Sequence, residues 1–224
     1  MSIKKKILAM TIGPVLIMGI ISVAFTLTRV QGAMIDEIQD ALKGTAAATL
    51  AAYDQNTGDY IKASNGDIWK GSYNISKSES LVDGIKENTG MDVTFFYGTK
   101  RIMTSAKDSD GNRILGSPAG DMVKKTVLKG GKNYFSRQVS IDGVMDYGYF
   151  MPVHQNGSDT DIVGMIFVGT NKAKMDSVIH HIMLTNILVV VIIMVLCAAI
   201  GYKLSSSMSR NIRTSSGVVE IVSK

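Results

Sequence analysis

The chain has 224 residues, 46% of them hydrophobic, and a formal net charge of +5. Its basic excess lies near the two ends, because residues 29–181 contain 17 basic and 18 acidic residues. A central segment without a basic excess excludes an extended nucleic-acid-binding face. The one cysteine, Cys197, lies in an apolar stretch. This excludes a disulfide framework, so a folded central domain must be stabilised by its own core.

Two uncharged stretches of 21 residues, 7–27 and 182–202, frame the central segment. At about 1.5 Å per residue, each can cross a hydrocarbon layer roughly 30 Å thick. They predict a multi-pass membrane protein with five parts. These are a short terminus at 1–6, a first membrane helix at 7–27, a polar domain at 28–181, a second membrane helix at 182–202 and a tail at 203–224.

Charges beside these stretches predict their orientation. Three lysines precede the first stretch, and the tail has four basic residues against Glu220. By the positive-inside rule both termini are cytoplasmic and the domain lies outside the plasma membrane. A cleaved signal peptide is the alternative for the first stretch. Its length and the poor cleavage motif Val30-Gln31-Gly32 disfavour that alternative.

The chain is expected to continue from Arg29 as a helix, because apolar and small residues recur at spacings of four and three. Such a stripe packs on a sheet, on a partner helix, or on both, and packing within the domain is the simpler explanation. The main row is Met34, Ile38, Ala41, Thr45, Ala48 and Ala52, with Ile35, Leu42 and Thr49 on an adjacent row.

The rest of the domain has the pattern of strands and turns. Ser117, as a cap, and Pro118, in the first turn, predict a helix start. The element order predicts an antiparallel sheet with helices packed on it, the α+β class. The predicted strands are 67–75, 93–97, 101–105, 134–141, 145–153 and 162–169, and the predicted helices are 79–88 and 117–128.

The domain contains the runs DIWKG (67–71), TGMDVTFFYG (89–98), RIMTS (101–105), DGNRILG (110–116) and VGMIFVG (163–169). In order and spacing these runs resemble the single-Cache domains of bacterial sensors, over roughly residues 66–174. The resemblance implies an extracytoplasmic PAS-like sheet preceded by a long helix. It would make 28–181 a sensor domain.

The tail looks like the first helix of a HAMP linker. Met208, Ile212, Ser215, Val219 and Val222 follow the a/d spacing of a parallel coiled coil, which favours a homodimer. Asn211 stands where that family usually has proline. A second HAMP helix and an output domain, with cytoplasmic signalling partners, are expected beyond Lys224.

No catalytic, cofactor or metal motif stands out, so an enzyme is not expected. Residues 108–112 resemble a calcium loop, but the glycine comes one place early and Ala119 occupies position 12. His180 and His181 are adjacent and would point about 100° apart on a helix. Residues 108–112 are better interpreted as a hairpin turn. The two histidines are better interpreted as residues at the membrane interface.

Ligand recognition is expected instead. The resemblance places a ligand between the sheet and residues 94–116, facing strand 147–151. Arg101 and Arg113, with the helix start at 117, suit a carboxylate. Thr104, Tyr147 and Tyr149 would add hydroxyl contacts. The alternative is that the arginines are solvated turn residues and the tyrosines pack in the core.

Together these features predict the ligand-sensing and transmembrane signalling input region of a bacterial methyl-accepting chemotaxis protein. Its partners would be a small molecule, such as an anionic metabolite, and the lipid bilayer. Two alternatives remain open. One is the input region of a sensor histidine kinase or diguanylate cyclase, and the other is a stand-alone membrane-anchored surface protein.

Overall fold

The structure is a computed structural model that describes residues 3–222, with side chains at 9, 10, 12–204, 206 and 207. Its helices are α1 (Ile3–Phe25), α2 (Gln31–Asp54), α3 (Glu79–Thr89), α4 (Asp121–Val123) and α5 (Lys172–Val222). Its strands are β1 (Tyr60–Lys62), β2 (Ile68–Lys70), β3 (Tyr73–Asn74), β4 (Asp92–Tyr97), β5 (Lys100–Thr104), β6 (Tyr134–Ile141), β7 (Val144–His154) and β8 (Ile162–Asn171). Wider π turns join α1 to α2 (Thr26–Val30) and extend α4 (Lys124–Lys129).

The chain divides into two compact units, Met1–Met34 with Val178–Lys224, and Ile35–Ser177. The first unit is helical, and helical segments at Ile12–Asp54 and Lys172–Leu204 are long and apolar enough to cross a membrane. Large apolar side chains there are exposed, as at Met18 (66%) and Leu196 (56%). Such extensive apolar exposure suits hydrocarbon better than water.

Within the helical unit, Gly19 lies directly against Met194. A Cβ at Gly19 would overlap the Met194 sulfur, so a larger residue would require the Met194 side chain to move. Small residues at such contacts allow membrane helices to pack closely. The heptad positions of the predicted HAMP helix lie on α5, but their side chains are outside the described residues.

The second unit is built on a five-stranded antiparallel sheet with strand order β5-β4-β8-β7-β6. The central strand, β8, pairs with β4 from Asp92↔Gly169 to Tyr97↔Gly164, and with β7 on its other side. With α2 preceding it, this sheet confirms the predicted α+β, PAS-like architecture. Helix α3 also forms as predicted, and Gly90 ends it at a φ of +71°.

The two faces of the sheet carry separate cores, because successive strand residues point to opposite sides. The helix face packs against α2 and α3 and buries Val93, Phe95, Met103, Tyr147, Tyr149, Ile166 and Val168 with Leu42, Ala46, Tyr53 and Val82. The loop face packs against the segment between β5 and β6 and buries Phe96, Phe150, Met165 and Phe167 with Ala106, Ala119, Val123 and Val127.

The predicted helix after Arg29 is confirmed, but its buried row is the neighbouring one. On α2, Ala41 and Ala48 are exposed. The buried residues are Ile35, Leu42, Ala46, Thr49 and Tyr53. Tyr53 also exchanges a buried hydrogen bond of 2.8 Å with Ser78, which fixes α2 to the segment before α3.

Two predicted elements are wrong in detail. The strand predicted at 67–75 is broken at Gly71, whose φ of +54° makes the turn between β2 and β3. The helix predicted from Ser117 begins only at Asp121. Pro118 instead bridges to Lys100, and the carbonyl oxygen of Ser117 accepts a hydrogen bond from the Arg101 N–H. These residues extend the edge of the sheet.

Candidate ligand-binding site

The candidate site lies on the loop face, where the edge strand β5 meets β4. Thr94 pairs with Thr104, and Phe96 pairs with Arg101, so these four side chains share that face. The register shift between Phe95 and Phe96 lets Arg101 reach this side. Residues 105–120 cover the face, with Ala106 and Ala119 in contact with its apolar part.

Arg101 is a buried cation that forms no ion pair with a carboxylate among the described side chains, although the Asp92 carboxylate is near enough to interact with it electrostatically. It is 8% exposed, and its guanidinium lies over the Phe96 ring at 5.4 Å. One long hydrogen bond, of 3.5 Å, joins Nη1 to the carbonyl oxygen of Ile114, and Nε is buried with no acceptor. Burial lowers the pKa of Arg101. The geometry therefore leaves donor capacity for an anion.

Arg113 is committed to a structural ion pair. It donates two parallel hydrogen bonds to Asp83, at 2.8 and 2.6 Å, and one of 2.7 Å to the carbonyl oxygen of Thr104. The hydrogen bond from Arg113 lowers the pKa of Asp83. This pair fixes the loop after β5 to α3. Arg113 is thus near Arg101 in sequence, but its guanidinium stabilises the fold through these hydrogen bonds.

Thr104 is fully buried, and its hydroxyl is shared with Thr94 at 2.7 Å. It also accepts a hydrogen bond of 3.1 Å from the Ala106 N–H. It therefore lies beside the predicted site, but its hydroxyl already has partners. Its ligand role stays a prediction.

Tyr147 and Tyr149 lie on the helix face, opposite to Arg101 and Thr104. Tyr147 donates a hydrogen bond to Asp176 in α5 and accepts one of 3.1 Å from Lys172. Tyr149 is 4% exposed within the core that packs against α2. The structure therefore does not bring these hydroxyls together with Arg101. Their placement is that of the core-packing alternative.

A cavity of about 410 Å³ opens at the end of the loop face where β4 begins and β8 ends. Its wall includes Ala106 and Ile114, and the Ile114 carbonyl group is the one that contacts Arg101. Six charged residues line it: Lys86, Asp92, Lys107, Asp108, Asp142 and Asp146. This volume falls within the usual range of small-molecule sites, roughly 300–1,000 Å³.

Asp92 is held in place at the cavity wall, whereas Asp146 is not. The Asp92 carboxylate accepts hydrogen bonds of 2.8 Å from Lys86 and from Ser105. Asp146 is 6% exposed, and among the described side chains none donates a hydrogen bond to it. Burial and the neighbouring Asp92 raise the pKa of Asp146 to about 6. An ionisable group perturbed in this way inside a cavity is a candidate functional residue.

Sequence reasoning missed Asp146, although a signal was present. It is the only charged residue in 144–153, a segment otherwise dominated by apolar and aromatic residues. A lone carboxylate inside a buried strand requires a partner or a role. The alternation of residues along a strand does not by itself reveal that Asp146 lies on the loop face, which the segment after β5 covers.

A family model described as "Single cache domain 3" matches residues 73–182. Among curated proteins, none matches the chain significantly.

Among solved structures, the ligand-binding domain of the Campylobacter jejuni chemoreceptor Tlp3 in complex with L-valine is similar, with a TM-score of 0.50 and 11% identity. That match covers 76% of this chain and 66% of the Tlp3 chain, so this chain spans just under two thirds of its length. A second Tlp3 structure, with isoleucine bound, gives a TM-score of 0.49 at 9% identity, covering 76% and 66% of the two chains. The E. coli DcuS sensor domain gives 0.41 at 11% identity, covering 65% of this chain and 96% of that one. At these identities the likeness concerns the fold.

Proposed function

Residues 73–182 form a single Cache domain, and from this premise we propose that the chain is the ligand-sensing input region of a transmembrane chemoreceptor. The domain would lie outside the plasma membrane, with residues 7–27 and 182–202 crossing it and both termini in the cytoplasm. The basic flanks support this orientation. The HAMP-like heptad at 208–222 supports a homodimer and an output domain of the methyl-accepting type.

The observation that carries the signalling proposal is the direct junction of β8 and α5. Asn171 ends the strand and Lys172 begins the helix, with no loop between them. The Asn171 side chain caps the helix by accepting a hydrogen bond of 2.9 Å from the Lys174 N–H. Asn171 also lines the cavity. A ligand that displaces this strand end would move a helix that is continuous into the second apolar segment.

The same geometry supports Arg101 as an anion-binding residue. Its guanidinium is buried and forms no ion pair with a described carboxylate, although Asp92 interacts with it electrostatically, and a buried charge left unpaired is costly. A ligand carboxylate at this position would compensate it, provided that the covering loop at 105–120 shifts to admit the ligand. Such a loop movement, coupled to strand β8, would give the two conformations different ligand affinities, as signalling requires.

The test fuses residues 1–224 to the signalling module of a well-characterised chemoreceptor and, separately, to that of a histidine kinase. Cells carrying the chemoreceptor hybrid should change their kinase output when a pool of small metabolites is added. A hybrid with Arg101→Met should lose the response to carboxylates. Silence of both hybrids toward every pool would refute the sensory proposal, and a response from the kinase hybrid alone would favour the alternative output.

A further inference from the structure

We infer that the cavity beside Asp146 binds the ammonium group of a small organic ligand, with the Asp146 carboxylate as its counter-ion. This inference rests on the proposed sensory function and names the chemistry of the ligand that the domain would sense. It concerns a different residue and the opposite charge from the contact assigned to Arg101.

Asp146 has the position of a binding residue rather than of a structural one. It is nine-tenths buried, lines the cavity, and receives no hydrogen bond from the described side chains. Leaving a buried carboxylate without donors costs free energy that folding alone does not recover. A ligand that supplies N–H donors and positive charge would recover it.

An aromatic ring packs on the inner side of the Asp146 carboxylate, so a ligand would reach the carboxylate from the cavity. On the same face of the sheet, Gly148 pairs with Gly169 across β7 and β8. A Cβ at Gly169 would stand 3.2 Å from the Asp146 Oδ2 and would also overlap the Phe167 ring. The Phe167 ring lies over both glycines, so the two facing glycines let an aromatic ring pack beside the carboxylate.

The charge of the cavity favours a cation. Lys86 is neutralised by Asp92, with which it forms an ion pair of 2.8 Å. The remaining charged groups that face Asp146 are Lys107 and Asp108, from the loop after β5, and Asp142, from the turn between β6 and β7. With Asp146 ionised, the wall carries a net charge of −2. A cation entering it gains Coulomb energy strengthened by the partly buried setting.

An organic ammonium fits this wall better than a metal ion does. Divalent cations need several oxygen ligands converging on one point. Among the residues that the structure describes, no cluster of three or more acidic, histidine or cysteine side chains has that arrangement. An ammonium has three donors and needs fewer charged partners, and the volume of about 410 Å³ leaves space for the carbon skeleton attached to it.

The ionisation of Asp146 gives the inference a pH signature. Its pKa is raised to about 6 in the unliganded domain. A bound cation favours the ionised carboxylate, so affinity should increase as pH rises through this value. From about pH 7.5 to about pH 5, an ammonium ligand should bind about tenfold more weakly, since only about a tenth of the carboxylate stays ionised.

The experiment uses the full chain in lipid nanodiscs and three matched compound sets. The sets are the common α-amino acids, their decarboxylated amines, and the 2-hydroxy acids in which a hydroxyl group replaces the ammonium. Each is tested at about 10 mM by thermal shift, and hits are titrated by calorimetry. At least one ammonium compound should bind, and its hydroxy counterpart should bind at least about tenfold more weakly.

Asp146→Asn should weaken the ammonium hit at least about tenfold and abolish the pH dependence. Asp159→Asn is the matched control: this residue is exposed in the loop between β7 and β8 and lies outside the cavity wall. It makes the same charge change and should leave affinity unchanged. Because the wild-type pH profile needs no variant, it tests the inference even if Asp146→Asn were to fold poorly.

The inference is overturned if no ammonium compound binds, if hydroxy counterparts bind equally well, or if affinity is flat between those pH values. Binding by hydroxy acids alone would leave the proposed sensory function standing and refute only the ammonium assignment. Failure of both signalling hybrids despite ammonium binding would refute the proposed sensory function and leave the ammonium assignment standing.

Discussion

Tyr147 donates a hydrogen bond to Asp176, and this contact ties strand β7 to the first turns of α5. Lys172 completes the group, since its ammonium lies 4.5 Å from the Tyr147 ring centroid and donates to both Tyr147 and Asp176. The sheet is therefore connected to α5 through the backbone at Asn171 and through these side chains, and Met175 of α5 also packs against the core of the helix face. In the proposed receptor, these contacts would transmit a movement of the sheet to α5.

Replacing Tyr147 with Phe should weaken the second connection alone. Loss of one hydrogen bond to a partly exposed carboxylate should destabilise the domain by about 1 kcal/mol. In the chemoreceptor hybrid, the baseline kinase output should shift while ligand affinity changes little. Tyr134→Phe, on the neighbouring strand β6, is the control, because no hydrogen bond of its hydroxyl group is present in the described structure. Equal effects of the two changes would argue against a coupling role for Tyr147.

The ion pair between Arg113 and Asp83 should make stability depend on acid pH. Because Arg113 lowers the pKa of Asp83, the pair stabilises the fold above the unfolded carboxyl pKa of about 4. This stabilisation is lost as pH falls through the lower folded value. Asp83→Asn should cost about 1 kcal/mol at neutral pH, after allowance for solvent screening, and should remove that part of the acid dependence. Urea unfolding at several pH values measures both effects.

The matched control for this pair is Asp121→Asn. Its partner Lys124 is three residues away, and the Asp121 side chain is 99% exposed. Surface pairs of this kind contribute little. A loss of stability at Asp121 equal to that at Asp83 would mean that removal of charge, rather than the bidentate pair, causes the effect.

Local patterns predicted most of the sheet. Strands β6 to β8 are rich in apolar and aromatic residues and are bounded by turn residues, so their limits are within two residues of the expected ones. The predicted helix start at Ser117 was wrong because residues after this cap-like sequence pair with the edge of the sheet instead, where Pro118 bridges to Lys100. That pairing depends on a contact between elements, which a local pattern does not contain.

The candidate site was harder to predict because it depends on which face each strand presents. Alternation puts Tyr147 and Tyr149 on one side and Asp146 on the other, but a single strand does not reveal which side α2 covers. The register shift at Phe95/Phe96 then sets the face of Arg101. The site residues are therefore decided by register and layer order rather than by residue type.

The unpartnered carboxylate of Asp146 should lower the stability of the unliganded domain at neutral pH. Its folded pKa, about 6, is above the unfolded value of about 3.9, so stability falls as pH rises between these two values. Asp146→Asn should therefore stabilise the unliganded protein by about 3 kcal/mol well above pH 6, and the gain should vanish below pH 4. Thermal melts across this range measure it. A destabilised Asn variant at neutral pH would mean that the carboxylate has a structural donor.

The orientation predicted by the basic flanks is open to a labelling test. In a Cys197→Ala background, a cysteine at Ser109, which is exposed in the loop after β5, should react with a membrane-impermeant thiol reagent in intact cells. Cysteines at Ser2 and Ser223 should react only after the membrane is permeabilised. Labelling at either end in intact cells would contradict the proposed topology.

The last prediction concerns Arg101 and the compact unit Ile35–Ser177. Expressed as residues 29–181, the domain should be soluble and folded, because this segment contains both cores of the sheet. A carboxylate ligand at 100 times its Kd would stabilise it by about 2.7 kcal/mol, a shift of several degrees in Tm.

Arg101→Met should abolish that shift. The Tm of the unliganded variant should stay equal or rise, because the methionine keeps the apolar contact with Phe96 while a buried charge without a carboxylate partner is removed. Lys100→Gln, an exposed neighbour on the same strand, is the control and should keep the shift. If carboxylates still stabilise the Met variant, the anion contact lies elsewhere. A large drop in the unliganded Tm would instead mean that the guanidinium is a structural donor, and that its weak hydrogen bond to Ile114 matters more than its 3.5 Å length indicates.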